Sequence, residues 1–344
     1  MAEDPANLHV VGRTADGQLW HTIRSPTGWT PFGDVLAAAN LPSFRGRVVD
    51  VACARRAAIA APGNTEGLYV LVAFEDDLPR LLFRSSNNGS WSQQPGVFFP
   101  TARKVAAGTF TSIPQGSGTG LNQIHMAAVI DDGHLLTAFA DATATQPVQQ
   151  PDDIETTAGE TGDLRAVALD SITTIGGQPS VQLLAVTADA RLLQTRGRGA
   201  TIGDPSGHWT SWTEVLAGSV ARAVPADAID ADLAAGSVVA ATGDGHAWLA
   251  QALPTGSLGA WVDLETFTAT FSGGPWSGTF TSTFDVGTFS TIAAGWASEG
   301  LHVVGTTTDG RLWHQLRAPN SIFRDVELAG VGANVGSFTT VDCG

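Results

Sequence analysis

One segment recurs six times along the chain: LHVVGRTADG at 8, LYVLVAFEDD at 68, IHMAAVIDDG at 124, VQLLAVTADA at 181, GSVVAATGDG at 236 and LHVVGTTTDG at 301. Subtracting successive start positions gives spacings of 60, 56, 57, 55 and 65 residues. A period this regular, slightly above the roughly 40–50 residues of common propeller blades, restricts the chain to folds assembled from copies of one supersecondary unit.

Each copy has the same internal order. An apolar, β-prone strand enters a D-G or D-D turn, and a second strand follows, as in QLWHTIR, HLLTAFA, HAWLAQA and RLWHQLR. Two such runs joined through Asp-Gly predict a β-hairpin, because glycine reaches positive φ without steric cost. A polar turn then leads to a third strand carrying an aromatic: GWTPFGDV at 28, SWSQQPGV at 90, HWTSWTEV at 208, AWVDLE at 260 and IFRDVEL at 322. The third copy, ending near PVQQPDDI, has no aromatic there. Five copies follow a further short strand: VVDVACA at 48, RKVAAGT at 103, LRAVALD at 164, ARAVPAD at 221 and STIAAGW at 290.

The first copy has no strand before it, whereas SFTTVDCG at 337–344 fits that pattern and stands alone. If the C-terminal strand completes the N-terminal blade, the ring closes without an open sheet edge. The expected fold is all-β: one domain over 1–344, a six-bladed β-propeller of four-stranded blades. A β-helix would need capping repeats, and a sandwich would show no such period. The longest interruption, TFTATFSGGPWSGTFTSTFDVGTF at 266–289, has two matching arms around GGPWSG and predicts an inserted β-hairpin with Trp276 at its tip. Such an insertion covers a face, pairs with a partner or joins copies into a homo-oligomer, or else packs on its own blade.

Composition narrows the partners. A net charge of −15 with a single lysine, Lys104, repels a phosphate backbone, so no nucleic-acid partner is expected. No apolar run approaches the roughly 20 residues of a membrane span, and MAEDPANLHV lacks the pattern of an export signal. A soluble chain without membrane insertion is expected, cytoplasmic or released by a non-classical route. Cys53 and Cys343 occupy equivalent innermost strands of neighbouring blades, a placement that favours two buried thiols over a bridge.

The second position of the repeated strand reads His9, Tyr69, His125, Gln182, Ser237 and His302. Different blades set these histidines around a ring, too far apart for one ion, so packing is expected and neither metal nor cofactor. Trp20, Trp248 and Trp313 align with Leu82, Leu136 and Leu193, a substitution typical of inter-blade core. Trp29, Trp91, Trp209 and Trp261 follow polar turns, where binding and packing are both open. Arg24 and Arg317 end equivalent strands, while Ala140 and Ala252 fill that slot in the third and fifth copies. Each arginine is either a polar anchor for a ligand or a solvated edge residue. Nucleophile elbows, HExxH and phosphate loops are absent from useful contexts. SSNNGSW at 85 has the form of an Asp-box turn, but the single tyrosine, Tyr69, lies inside a repeat strand, which argues against sialidase chemistry.

The phrase DGxLWHxxR followed by GWTPFGDV resembles the repeats of tectonin- and tachylectin-like propellers, most closely the bacterial PLL-type lectins that bind fucose and O-methylated sugars. The likeness runs through the whole chain, strongest in the first and last copies. It implies sugar pockets between consecutive blades, lined by tryptophan, although PLL-type lectins have seven blades and this chain has six copies. The expected function is a non-catalytic, multivalent lectin for glycans, with Trp29, Trp91, Trp209 and Trp261 as stacking platforms and Arg24 or Arg317 as polar anchors. Two alternatives stand beside it: a protein-interaction scaffold using the 266–289 hairpin, and an enzyme using the channel carboxylates Asp50, Asp170, Asp227 and Asp342.

Overall fold

The computed structural model describes residues 7–25, 27–41, 46–56, 66–94, 99–112, 121–141, 151–173, 179–197, 209–215, 228–234, 236–251, 258–271, 278–283, 287–297, 300–317, 324–328 and 335–343. Six antiparallel blade sheets surround the centre, and in five of them the first strand in sequence is innermost. In blade 1 the order is Phe338–Cys343, Leu8–Thr14, Leu19–Ser25 and Gly28–Trp29, with Gly33–Asp34 also on the third strand. The C-terminal strand therefore supplies the inner edge of the N-terminal blade, with Val11 opposite Asp342. Blades 2 to 6 have innermost strands at Val48–Arg56, Ala102–Ser112, Leu164–Thr173, Ala228–Ala234 and Phe289–Ala297. In blade 5 this strand is AIDADLA; ARAVPAD, expected there, lies outside the described residues.

The Thr-x-Asp-Gly signature explains the hairpins between second and third strands. Thr14 and Thr307 donate their hydroxyls to Asp16 and Asp309 across 2.5 Å, which holds both carboxyls below the usual range. Gly17 and Gly310 follow at φ 82° and 83°, a conformation in which a Cβ is strained. Their carbonyls then accept the N–H of Val48 and Phe338, the first residues of the next blade's inner strand. The shared phrase LHVVG has its own packing reason. A Cβ on Gly12 would meet the Phe338 ring at 2.7 Å, and one on Gly305 would meet Phe289 at 2.7 Å. Each glycine lets an inner-strand phenylalanine lie across the backbone.

Both faces of every blade are covered, so the apolar core is divided into six inter-blade clusters. Val11 and Leu19 of blade 1 pack with Val51, Leu68 and Phe74 of blade 2; Leu8 and Val10 pack with Val304 and Leu312 of blade 6. Four further clusters join blades 2 and 3, 3 and 4, 4 and 5, and 5 and 6. At about 1.5–3 kcal/mol per buried large side chain, this packing outweighs any single hydrogen bond in holding the ring. Trp20, Trp248 and Trp313 join these clusters as expected. In blade 2, however, Arg80 opposes Val72 as Trp20 opposes Gly12, so Arg80 and not Leu82 holds the tryptophan slot.

The insertion forms a separate two-stranded sheet, Thr266–Phe271 with Gly278–Thr283, and Thr266 pairs with Thr283. Trp276 lies outside the described residues, and Phe289 belongs to blade 6. No helix among the described residues is long and apolar enough to cross a membrane.

Candidate functional site

Alternation along the second strand turns His9 and Val11 to the same side, toward blade 2. That side is buried, not polar, and His9 meets a second histidine there. His9 Nδ1 lies 3.0 Å from His21 Nε2 on the third strand, with the rings stacked at 5.2 Å. Blade 6 repeats the arrangement, with His302 Nδ1 2.9 Å from His314 Nε2 and ring centroids again 5.2 Å apart. Blade 4 places Gln182 and Gln194 in the same two slots, joined at 3.2 Å. Burial, then the nearby Arg84 and Arg55, pushes the His9 pKa down to about 3. Burial, then His314 and Arg24, does the same to His302, also to about 3. His9 and His302 are therefore neutral at physiological pH, and a neutral imidazole offers one donor and one acceptor.

The next blade closes each pair from the far side. Trp91 of blade 2 stands edge-on to His21 at 5.4 Å, and Trp29 of blade 1 stands edge-on to His314 at 5.3 Å. Each indole is paired across its strands with an arginine, Arg84 with Trp91 and Arg24 with Trp29. The 1/2 and 6/1 gaps thus hold the same constellation: a histidine pair from one blade, a tryptophan and a guanidinium from the next. His302 Nε2 is buried and has no hydrogen-bond partner among the described residues.

The other expected site residues are placed differently. Arg317 fills the arginine slot of blade 6 and is largely buried, which lowers its pKa, but blade 5 presents Ser237 where blades 1 and 6 present histidine. Trp209 pairs with Gly197, so its blade has no arginine at that step, and the indole lies over the glycine. Trp261 is shifted by three residues from the position of Trp29. Thr30, Thr210 and Gly259 make the same backbone bond to Ile23, Arg196 and Gln251, so Leu258 matches Trp29 while Trp261 matches Phe32 and Trp212. Its side chain is packed in the blade 4/5 cluster at 8% exposure. Arg84 is the residue that sequence reading missed. It occupies the slot of Arg24 and Arg317, since Leu68 opposes it as Leu8 opposes Arg24.

The channel has a different character. A cavity of about 280 Å³ is lined by Asp50, Lys104, Asp170, Asp230, Asp232 and Asp342 among others. Asp227 lies outside the described residues, and Asp230 and Asp232 stand on that blade's inner strand instead. The carboxylates act as latches between blades. Asp342 accepts the Cys53 N–H at 2.7 Å, Asp50 that of Val105 at 2.9 Å, Asp230 that of Ile292 at 2.9 Å and Asp232 that of Ala294 at 2.7 Å. Burial raises the pKa of all four, Asp230 to about 6. Asp50 also pairs with Lys104 at 3.8 Å. Cys53 and Cys343 are free, buried thiols beside these latches, with pKa values raised first by burial.

No protein-family profile matches this chain, and no curated protein does. Solved structures share its fold at low identity. AofleA from Arthrobotrys oligospora is 12% identical with a TM-score of 0.57, covering 98% of this chain and 86% of its own. SapL1 lectin, solved with alpha methyl fucoside, is 13% identical with a TM-score of 0.52, covering 94% and 93%. Aleuria aurantia lectin, described as a fungal lectin with a six-bladed beta-propeller fold, is 14% identical with a TM-score of 0.52, covering 85% and 82%. These likenesses establish the six-bladed fold.

Proposed function

We propose that this chain is a non-catalytic, carbohydrate-binding propeller whose sugar sites are the gaps between blades 6 and 1 and between blades 1 and 2. The observation that carries this reading is the repeated Trp/Arg/His-pair constellation. A sugar needs an apolar surface for its C–H face and fixed partners for its hydroxyls. Trp29 and Trp91 supply the first, Arg24 and Arg84 the donors, and the histidine pairs the second polar wall. The unpartnered His302 Nε2 marks one position a hydroxyl would satisfy. Fucose or an O-methylated sugar is the proposed ligand class: the sequence motif resembles PLL-type repeats, and SapL1 lectin was solved with a fucoside. Arg317 and Trp209 belong to partial sites lacking one or more members of the set, and Trp261 to the core.

Calorimetric titration with methyl α-L-fucoside tests the reading. Arg24→Ala and Arg84→Ala should each remove one site, or weaken it about tenfold or more through loss of charged hydrogen bonds, and the double variant should bind nothing. A folded parent protein that shows no heat with any monosaccharide up to about 10 mM would sink it.

A second reading concerns the 266–289 hairpin, whose arms Thr266–Phe271 and Gly278–Thr283 pair with each other and, among the described residues, with no blade strand. Such an arm is suited to pairing with a second copy or another protein, and it is compatible with sugar binding.

A further inference from the structure

Blades 3 and 5 share a side-chain trio that the inter-blade gaps do not use. His134 follows the Asp-Gly turn of blade 3, and its Nδ1 lies 3.2 Å from Asp153 Oδ2 and 3.3 Å from Glu155 Oε2. His246 stands at the same step in blade 5 and directs Nδ1 to Glu265 Oε2, with Asp263 beside it. The correspondence is fixed by register. Ile130 and Thr242 close the two turns onto the carbonyls of His134 and His246, and Leu136 and Trp248 oppose Asp153 and Asp263. In both trios one nitrogen and two carboxylate oxygens lie within 4.8 Å of one another.

We propose that each trio is a zinc site, giving the propeller two Zn²⁺ ions on the face opposite the sugar gaps. An imidazole Nδ1 carries at most one proton, yet His134 Nδ1 is nearly equidistant from two carboxylate oxygens. Zinc arms of about 2.0–2.2 Å set neighbouring donors roughly 3.0–3.5 Å apart, which matches both separations. The remaining oxygens are held by other groups. Asp153 Oδ1 accepts the Glu155 N–H at 2.9 Å, and Glu155 Oε1 accepts the Thr161 N–H at 3.0 Å and its hydroxyl at 2.5 Å. Asp263 Oδ1 likewise accepts the Glu265 N–H at 2.8 Å. Bonds of this kind orient ligating carboxylates before the ion arrives. The histidine side chains are 53% and 45% exposed, so the fourth position faces water.

The equivalent steps elsewhere carry no such set. Gln18, Arg191 and Arg311 stand at the histidine step of blades 1, 4 and 6, and Leu328 replaces the aspartate in blade 6. An arginine there repels a cation. The pattern also separates the two kinds of site along the sequence, because blades 3 and 5 are the ones with alanine at the arginine slot.

The face follows from strand alternation. The turn before His134 and the chain after Asp153 lie at the opposite strand ends from Arg24 and Trp29.

Chelator-stripped protein titrated calorimetrically with Zn²⁺ should take up two equivalents and gain thermal stability. His134→Ala and His246→Ala should each leave one equivalent, and the double variant none. Both rings are about half exposed, so each metal-free variant should still melt in one cooperative transition close to the parent's, which separates lost ligation from lost fold. No saturable uptake below about 1 mM Zn²⁺, unchanged uptake in the double variant, or uptake of Mg²⁺ and Ca²⁺ in preference to Zn²⁺ would overturn the assignment.

Discussion

The buried histidine pairs make the protein acid-sensitive through identifiable side chains. In the fold His9 and His302 titrate near 3, against about 6.5 in the unfolded chain. As pH falls from 6.5 toward 3, only the unfolded chain takes up these protons, and each ring removes up to about 1.4 kcal/mol per unit. Asp230 works in the other direction. Its folded pKa of about 6 lies above the usual 3.8, so acidification between those values restores stability. Replacing His9 and His21 with glutamines copies the Gln182/Gln194 pair of blade 4 and should flatten the loss of stability between pH 6 and 4. Denaturant melts at both pH values would show it, and an unchanged slope would move the sensitivity elsewhere. The pairs could not be read from the sequence. Residues twelve positions apart meet only because the hairpin register sets them diagonally. Arg84 was hidden for a related reason. RLL at 80–82 reads like RLW at 311–313, but equal hairpin lengths in blades 1 and 2 shift the true match by two residues.

Strands were far more legible than the contacts between them. Alternating apolar residues around Asp-Gly are a local signal, and all six copies fold as the hairpins expected. Trp261 shows the limit. A tryptophan after a polar turn reads the same at either of two positions, and the backbone bond from Gly259 decides between surface and core. The closing strand depends on one absent side chain, since Gly12 gives the Phe338 ring its place. Gly12→Ala should cost about 1–3 kcal/mol by overpacking and loosen the C-terminal strand first. Hydrogen exchange should then speed up at Thr340 and Val341 before it does in blade 3; uniform acceleration would mean the strand is not separately held.

Six similar interfaces and a ring closed by its last strand make stability a collective property, and they also divide the molecule into two faces. The arginine and tryptophan of each proposed sugar gap lie at one end of the strands, while the Asp-Gly turns, both proposed zinc sites and the root of the hairpin lie at the other. If the hairpin joins copies, deleting residues 266–283 should lower the mass in solution and leave fucoside affinity unchanged. A monomeric parent would remove that role, and a loss of affinity would contradict the separation of faces. Even spacing of the repeats revealed the ring itself. The His/Asp/Glu trios were not apparent, because D-G-H and D-x-E lie on different strands and only pairing brings them together.

Closure of blade 1 also has a consequence in time. Leu8–Thr14 leaves the ribosome well before its inner neighbour, Phe338–Cys343, which begins 324 positions after Thr14. At 5–20 residues per second the interval is roughly 15–65 s. Throughout it, one edge of the first blade and the apolar residues Leu8 and Val10 wait without their partners. A chain stopped before Phe338 would therefore leave Leu8–Thr14 with an open, adhesive strand edge.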